Sequence, residues 1–266
     1  MMMPEIHLSV SPFGLNGLDR AVEVARAIGC TGLEVPVSFL SRIEGPEKLG
    51  GLSIRVAGIS WEPGQPSDIV GALALAKGFH VQAVNIYGGL PDGVESSAAK
   101  DAFVKDVCAA INKTPDDSPI LLLENELAKA PGLSASFDGW LGLIHAVDSP
   151  RFRGTLDAAN FVSAGDEAAI SRIADEALPL MGHAHVKGLV PFDADLHTRE
   201  PFRRRWQAHG EWLAAPAGEG DPDWVRLLPE LLTNGYTGVV TVEPFQEPEM
   251  ILRAATFIRT VVRSIR

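Results

Sequence analysis

The sequence predicts a single closed barrel of eight parallel strands that alternate with helices. Three observations support this: short β-branched runs recur along the chain, longer segments between them carry apolar residues every three to four positions, and the alternation repeats eight times. Strands that alternate with helices form a parallel sheet covered by helices. Eight units in 266 residues favour the (β/α)8 barrel, or TIM barrel, over an open sheet, which usually has fewer strands.

The predicted strands are short and aliphatic, as buried parallel strands are. In chain order they cover residues 6–11, 32–35, 54–60, 81–87, 120–124, 154–157, 182–187 and 238–243. A doubly wound open sheet is the alternative. It is disfavoured because no G-x-G-x-x-G turn follows the first strand.

The predicted helices have apolar residues at helical spacing and, in several cases, recognisable caps. They cover residues 18–28, 67–77, 95–112, 136–147, 166–178, 223–232 and 248–264. Segment 38–49 is a poor helix because Gly45-Pro46 lies in its middle. We predict one domain, 1–266, in which the long connection 188–221 is a lid-like loop over the active site, since barrel chemistry lies on the loops that follow the strands.

Composition excludes several classes of function. A net charge of −11 and a pI near 5.1 disfavour nucleic acid as a partner, because phosphate neutralisation needs a basic surface. No apolar run reaches the roughly 18 residues that cross a bilayer, and no secretory signal is visible. Cys30 and Cys108 form no disulfide framework, so we expect a cytoplasmic protein with free thiols. The basic run 203–205 is expected to be a solvated loop, with recognition of an anionic substrate group as the alternative.

Four polar residues end the last four predicted strands: Glu124, Asp157, His185 and Glu243. Alternation along each strand puts them on the face opposite the Leu, Val, Ala or Gly residues, so we expect them to point into the barrel mouth. Each alone is typical of a capping, salt-bridging or core residue. Together they form an oxygen and nitrogen set without thiolate, which suits Mn²⁺, Mg²⁺ or Co²⁺ and also admits Zn²⁺. A bound metal would also relieve the repulsion between the converging carboxylates.

Five ordered motifs resemble the xylose-isomerase-like sugar isomerase and epimerase superfamily, of the sugar phosphate isomerase/epimerase type. They are L-L-L-E-N, L-D-A-A-N, G-H-A-H-V-K, A-G-E-G-D and V-E-P-F, from residue 121 to residue 245. The resemblance implies that Glu124, Asp157, His185 and Glu243 bind one divalent metal ion. It also implies that Glu124 and Glu243 act as catalytic acid and base, and that the protein works in carbohydrate metabolism, often as a homo-oligomer.

The chain departs from the epimerase branch of this superfamily at three positions. Asn160 stands where that branch has His, Pro191 stands where it has Arg, and Lys187-Gly188 replaces the end of a frequent H-x-K-D motif. His183, beside the ligand position, is expected to contact substrate or to support the ligands.

Further substrate-binding candidates are Asn160, Lys187, Trp61 and Asn85. Glu34 is another inward polar group of the pocket, for which a core role is equally expected, and His7 is read as structural because it begins the first strand. Aromatic walls with a few polar groups are usual in small-molecule sites.

The function these residues indicate is that of a divalent-metal-dependent isomerase or epimerase of a small sugar or polyol-derived substrate. It would act by proton transfer through an enediolate. A metal-dependent dehydratase of a keto-inositol or dehydroshikimate-like substrate is the alternative enzyme. A sugar-binding or regulatory barrel with a remnant metal site is the alternative that is not an enzyme. The related endonuclease branch, which needs more histidines and a DNA-binding face, is disfavoured by the net charge of −11.

Overall fold

Eight parallel strands close into a barrel, as predicted. The computed structural model of the chain describes residues 4–49, 51–89, 95–125, 132–201, 203–243 and 248–265. Going round the barrel, the first strand lies between the second and the last, and the other strands follow in chain order. The barrel strands are β1 (Ile6–Ser9), β2 (Gly32–Pro36), β3 (Ser53–Ser60), β4 (Ala83–Tyr87), β5 (Ile120–Glu124), β6 (Phe152–Asp157), β7 (Met181–Val186) and β11 (Val239–Val242).

Helices cover the outside of the barrel. They are α1 (Leu18–Ala27), α2 (Val37–Leu40), α3 (Pro66–Gly78), α4 (Ser96–Lys113), α5 (Phe137–Val147), α6 (Ala158–Ser163), α7 (Ala194–Arg199), α8 (Trp224–Thr233) and α9 (Pro248–Ser264). The poor helix prediction for 38–49 is confirmed, since only α2 and a 3-10 turn at Pro46–Leu49 form there. Among the described helices, none is long and apolar enough to span a membrane.

The predicted helix at 166–178 is wrong as an α-helix. The chain there forms a 3-10 turn (Glu167–Ser171), a π turn (Ile173–Ala177) and a second 3-10 turn (Leu178–Leu180). Its buried residues, Ala169, Ile173 and Ala177, recur at every fourth position. These three side chains keep the segment packed against the hydrophobic core although its winding changes twice.

The connection 188–221 is more ordered than a loop. It contains a small antiparallel sheet in the order β8-β10-β9, built from β8 (Gly188–Pro191), β9 (Arg205–Ala208) and β10 (Gly210–Ala215). Arg203 lies buried beneath this sheet, where it donates to Glu219 at 3.1 Å and to the carbonyl of Ala214 at 3.2 Å. The expectation of a solvated basic run is therefore wrong for Arg203, although Arg204 and Arg205 are exposed. A role for this segment as a lid stays a prediction.

Two layers with opposite polarity surround the strands. Outward side chains such as Leu33, Ile86 and Leu123 pack in an apolar layer against the helices, where Phe103 and Trp140 are fully buried. The barrel interior carries many polar side chains instead, and its buried members include His7, Ser9, Glu34, Asn85, Glu124, Thr155, Asp157, His183, His185, Lys187 and Thr241. Buried polar groups are costly unless they are paired, so this interior predicts a dense network of contacts.

Candidate metal centre

The carboxyl ends of the barrel strands bring the four predicted ligands together. Glu124 and Asp157 are the last residues of β5 and β6, and Asp157 pairs in register with His185 of β7. Glu243 follows directly after β11. Parallel strands in register deliver consecutive side chains to one mouth, which explains why residues up to 119 positions apart in the chain meet here.

His185 lies at the centre of the cluster and contacts a carboxylate with each ring nitrogen. Its Nδ1 is 3.0 Å from Glu124 Oε1 and 3.7 Å from Glu243 Oε2. Its Nε2 is 2.7 Å from Glu34 Oε2. Burial lowers the pKa of His185, but the charges of Glu124, Glu34 and Glu243 outweigh burial and hold it well above the usual value.

Three of the predicted ligands meet the spacing of a metal site. Within the described part of the chain, one donor atom each from Glu124, Asp157 and His185 lie within 4.8 Å of one another. The fourth, Glu243, keeps a side chain 22% exposed at the mouth. Oxygen and nitrogen donors without thiolate fit a hard or borderline divalent ion, so the residues present suit the metal that the sequence predicts.

Lys187 supplies a cation to the same cluster. Its Nζ donates to Glu243 Oε2 at 2.7 Å and forms a second ion pair with Asp157 Oδ2. Burial lowers the pKa of Lys187, but Asp157 and Glu243 together raise it above its usual value. The same ammonium lies 5.5 Å from the ring centroid of Trp206, which belongs to the small antiparallel sheet. The sheet therefore reaches the barrel mouth through Trp206.

Carboxyl groups outnumber cations in this cluster. Burial raises the pKa of Glu34 and of Asp157, because the charged carboxylates lose water and lie near other carboxylates. Burial also raises the pKa of Glu243, but Lys187 and His185 overcome it and the net shift is downward. The cluster thus holds four carboxyl groups and two cationic groups, and a divalent cation would favour the ionised form of its carboxyl groups.

The family model for the xylose isomerase-like TIM barrel matches residues 67–261. The chain belongs to this family. The resemblance seen in the sequence motifs is therefore confirmed. Among curated proteins, no sequence matches the chain significantly.

Solved structures share the barrel at low sequence identity. A probable 3-DHS dehydratase, AsbF, involved in petrobactin synthesis in Bacillus anthracis, is 16% identical with a TM-score of 0.73, covering 96% of this chain and 98% of that one. D-psicose 3-epimerase from Clostridium cellulolyticum with D-tagatose is 14% identical with a TM-score of 0.72 and coverage of 98% and 99%. The IOLI protein with a bound zinc atom is 15% identical with a TM-score of 0.71 and coverage of 98% and 97%. At these identities the likeness establishes the fold.

In this xylose isomerase-like barrel, two predicted substrate-binding residues, Asn85 and Asn160, form hydrogen bonds beside the predicted ligands. Asn85 accepts from Thr155 at 2.8 Å and donates to Glu124 at 3.4 Å, so it links two strands behind a predicted ligand. Asn160 donates its side-chain amide to the backbone carbonyl of Asn125 at 3.1 Å and lies in the first turn of α6. Asp157 caps that helix by accepting from the backbone N–H of Asn160 at 3.2 Å.

His183 and Trp61 lie away from the mouth. The Nε2 of His183 is 2.7 Å from Thr241 Oγ1, and the side chain is fully buried below His185. Burial and the neighbouring His185 hold its pKa well below the usual value. Trp61 directs its indole N–H to Asp106 of α4 at 3.1 Å and packs edge-on against Phe103. Trp61 is thus placed in the outer layer, and the structure does not bring it together with the ligand cluster.

Glu34 is more central than the sequence indicates, and Asn125 makes contacts that the sequence does not indicate. Glu34 is predicted as an inward polar residue with a pocket or a core role, and it contacts His185 more closely than either predicted catalytic Glu does. Leu33 and Val35 fill the outward face of β2 and leave Glu34 inward, as strand alternation predicts. The side chain of Asn125 accepts a hydrogen bond from the backbone N–H of Asp157 at 2.7 Å and donates one to its backbone carbonyl at 2.8 Å. No spacing in the sequence marks that contact.

The departure at Gly188 has a steric reason. A Cβ at this position would lie 2.2 Å from the carbonyl oxygen of Glu219 and 2.7 Å from that of Pro216. The loop that carries the A-G-E-G-D motif therefore packs against bare backbone at the start of β8, where no larger side chain fits.

His7 belongs to a hydrogen-bonded group at the start of β1. Its Nε2 is 2.9 Å from Glu5 and 3.0 Å from Ser53, and in the strand register it pairs with Thr241 of β11. Burial lowers the pKa of His7 to about 4, and the hydrogen bond to Glu5 opposes the shift.

Proposed function

We propose that the chain is a divalent-metal-dependent sugar isomerase or epimerase that moves a proton next to a carbonyl group. The observation that carries this proposal is the convergence of Glu124 and Glu243 on the same nitrogen of His185, with Asp157 beside them. Glu124, Asp157, His185 and Glu243 would hold one Mn²⁺, Mg²⁺, Co²⁺ or Zn²⁺ ion. When bound, such an ion supplies a Lewis acid that polarises the carbonyl and adjacent hydroxyl of a substrate.

The two glutamates are proposed as the acid and base. Glu243 is the more accessible of the two, and its lowered pKa keeps it ionised. It can therefore take a proton from a substrate carbon. Glu124 lies deeper and is fixed from behind by Asn85, so it would return the proton from another direction. The resulting enediolate is the intermediate expected for isomerisation or epimerisation.

Lys187 is the predicted substrate-binding residue that best fits this chemistry. Its ammonium lies at the mouth between Asp157 and Glu243 and faces Trp206. A raised pKa keeps it protonated, so it can donate a hydrogen bond to an oxygen that gains negative charge. Asn85, Asn160 and His183 are proposed as supporting residues because their side chains are bonded within the barrel.

The same Lys187 favours the dehydratase as the second candidate. An ammonium 2.7 Å from a base could protonate a departing β-hydroxyl group after Glu243 has removed the adjacent proton. The two reactions share their first step and differ in whether water is lost.

Product analysis separates these functions. Metal-stripped protein is titrated with Mn²⁺ by calorimetry, and the loaded protein is then incubated with ketoses and keto-inositols in D₂O. Deuterium incorporation without loss of water supports the isomerase or epimerase, whereas conjugated-product absorbance supports the dehydratase.

Glu243→Gln is the decisive variant, with Glu211→Gln, at an exposed position of β10, as the matched control. Loss of turnover by about 10²–10⁴-fold in Glu243→Gln alone is expected for a catalytic acid or base. Unchanged function in both variants would instead support a binding or regulatory barrel. If the wild type binds none of Mn²⁺, Co²⁺ and Zn²⁺ in the titration, the metalloenzyme proposal is refuted.

A further inference from the structure

Glu34 is a buried carboxylate that the proposed chemistry does not use. It lies in the middle of β2, 1% exposed, and is neither one of the four predicted ligands nor one of the two proposed catalytic glutamates. Its contacts are with histidines: Oε2 is 2.7 Å from His185 Nε2 and 3.4 Å from His183 Nε2. A carboxylate kept in a barrel interior needs a partner, and His185 is the nearer one.

The two ring nitrogens of His185 contact different groups. Nδ1 faces the mouth, with Glu124 at 3.0 Å and Glu243 at 3.7 Å, whereas Nε2 faces inward to Glu34. An imidazole that binds a metal through one nitrogen carries its proton on the other. Metal-binding histidines commonly donate that remaining N–H to a carboxylate, which fixes the tautomer and the ring orientation.

A second arrangement competes with this one. Glu34, His183 and His185 also place one donor atom each within 4.8 Å of one another, so they could themselves be ligands. The 2.7 Å contact argues against it, because that is a hydrogen-bond length, whereas two ligands of one tetrahedral ion lie roughly 3.3 Å apart. His183 Nε2 is also engaged by Thr241 Oγ1 at 2.7 Å.

We infer that Glu34 is a positioning residue that accepts the Nε2–H of His185 and so presents Nδ1 as the metal-binding nitrogen. The inference rests on the proposed function, since it assumes that His185 is a ligand. Glu34 belongs to β2, which lies on the far side of the barrel from β5 and β6. Strand β2 would thus contribute directly to the metal affinity of the centre. Truncating the carboxylate frees the ring to rotate and to take the other tautomer.

Co²⁺ is the probe for this inference, because its affinity is measured by calorimetry and its unpaired electrons shift the proton resonances of its ligands. Wild type, Glu34→Gln and Glu34→Ala are compared, with Thr241→Val as the control, a change in the same interior layer that removes a hydrogen bond to His183 only. We expect Co²⁺ affinity to fall by about 10–100-fold in Glu34→Ala and by less in Glu34→Gln, whose amide oxygen can still accept. Thr241→Val should bind within about threefold of wild type.

The spectroscopic signature is a shifted, exchangeable imidazole N–H resonance in the Co²⁺ form. It should be present in water for the wild type, absent in D₂O, and lost to fast exchange in Glu34→Ala. A merely structural role for Glu34 would lower stability without removing this resonance.

The outcomes separate the two proposals. If Glu34→Ala binds Co²⁺ with the wild-type affinity and shows the same resonance, the positioning role alone is overturned. Absence of Co²⁺ binding by the wild type overturns both proposals. A loss of affinity in His183→Gln as large as that in Glu34→Ala would make Glu34 and His183 ligands, and would also overturn the positioning role.

Discussion

Replacing Lys187 with methionine should weaken the metal-free protein and strengthen metal binding at the same time. Lys187 is 3% exposed and joins Asp157 to Glu243, with Nζ 2.7 Å from Glu243 Oε2. Methionine preserves much of the side-chain length and removes the charge. Without the ammonium, two carboxylates remain together in the barrel mouth with His185 as their nearest cation.

The magnitude follows from the contacts. Removing one partner of a buried ion pair costs about 3–5 kcal/mol, because the other charge is left without compensation. In a protein of this size each kcal/mol lowers the melting temperature by about 2–4 °C, so a decrease of roughly 10 °C is expected without metal. Without the ammonium, Mn²⁺ would relieve the repulsion between the two carboxylates and would not compete with a bound cation, so Mn²⁺ affinity should rise by at least about tenfold.

Thermal unfolding with and without Mn²⁺, together with calorimetric titration, measures both effects. Lys77→Met is the matched control, because Lys77 forms an equally short but exposed ion pair, 2.6 Å from Asp117. Exposed pairs contribute less than about 1 kcal/mol, so this control should hardly change stability or Mn²⁺ affinity. An unchanged melting temperature in Lys187→Met, or weaker Mn²⁺ binding, would refute the view that Lys187 and a metal ion share the same carboxylates.

Three further predictions concern the frame of the barrel. The pKa of His7 is about 4 in the folded protein and 6.5 in the unfolded chain, so the unfolded chain binds a proton first as pH falls. The free energy of unfolding should therefore decrease by about 3 kcal/mol between pH 6.5 and pH 4. In His7→Gln this decrease should be absent, so the free energy of unfolding measured in urea should depend less on pH. Gly188→Ala should cost at least 1–3 kcal/mol, because its Cβ would lie 2.2 Å from the Glu219 carbonyl; a melting temperature equal to wild type would contradict this packing. Asp106→Ala should cost about 1–3 kcal/mol and alter Trp61 fluorescence, because a buried indole N–H loses its acceptor; chemical denaturation followed by fluorescence tests both effects.

Much of the fold could be predicted because its signals are local and repeated. All eight strands were found in order, since each is a short aliphatic run between turn residues. The inward direction of Glu124, Asp157 and His185 followed from strand parity, and their mutual contacts agree with it.

What the sequence missed depends on contacts rather than on periodicity. The small antiparallel sheet was predicted as a loop, although β9 and β10 are separated by His209 alone, and Gly210, the first residue of β10, has a φ of 100°. That short connection between alternating runs is a hairpin signal. The pairing of Lys187 with two carboxylates could not be predicted, because alternation gives the side of a strand and not the reach of a long side chain.

Closure of the barrel makes completion of the centre depend on the last barrel strand, β11. β11 pairs with β1 on one side and β7 on the other, joining Ile6 to Val240 across almost the whole chain. Pairings this distant in sequence form late, because a large loop must close first. Glu243 follows β11, so a chain still emerging from the ribosome lacks both the seam and a proposed ligand. High-affinity metal capture should therefore mark a finished barrel, and nascent or truncated chains should compete poorly for the ion.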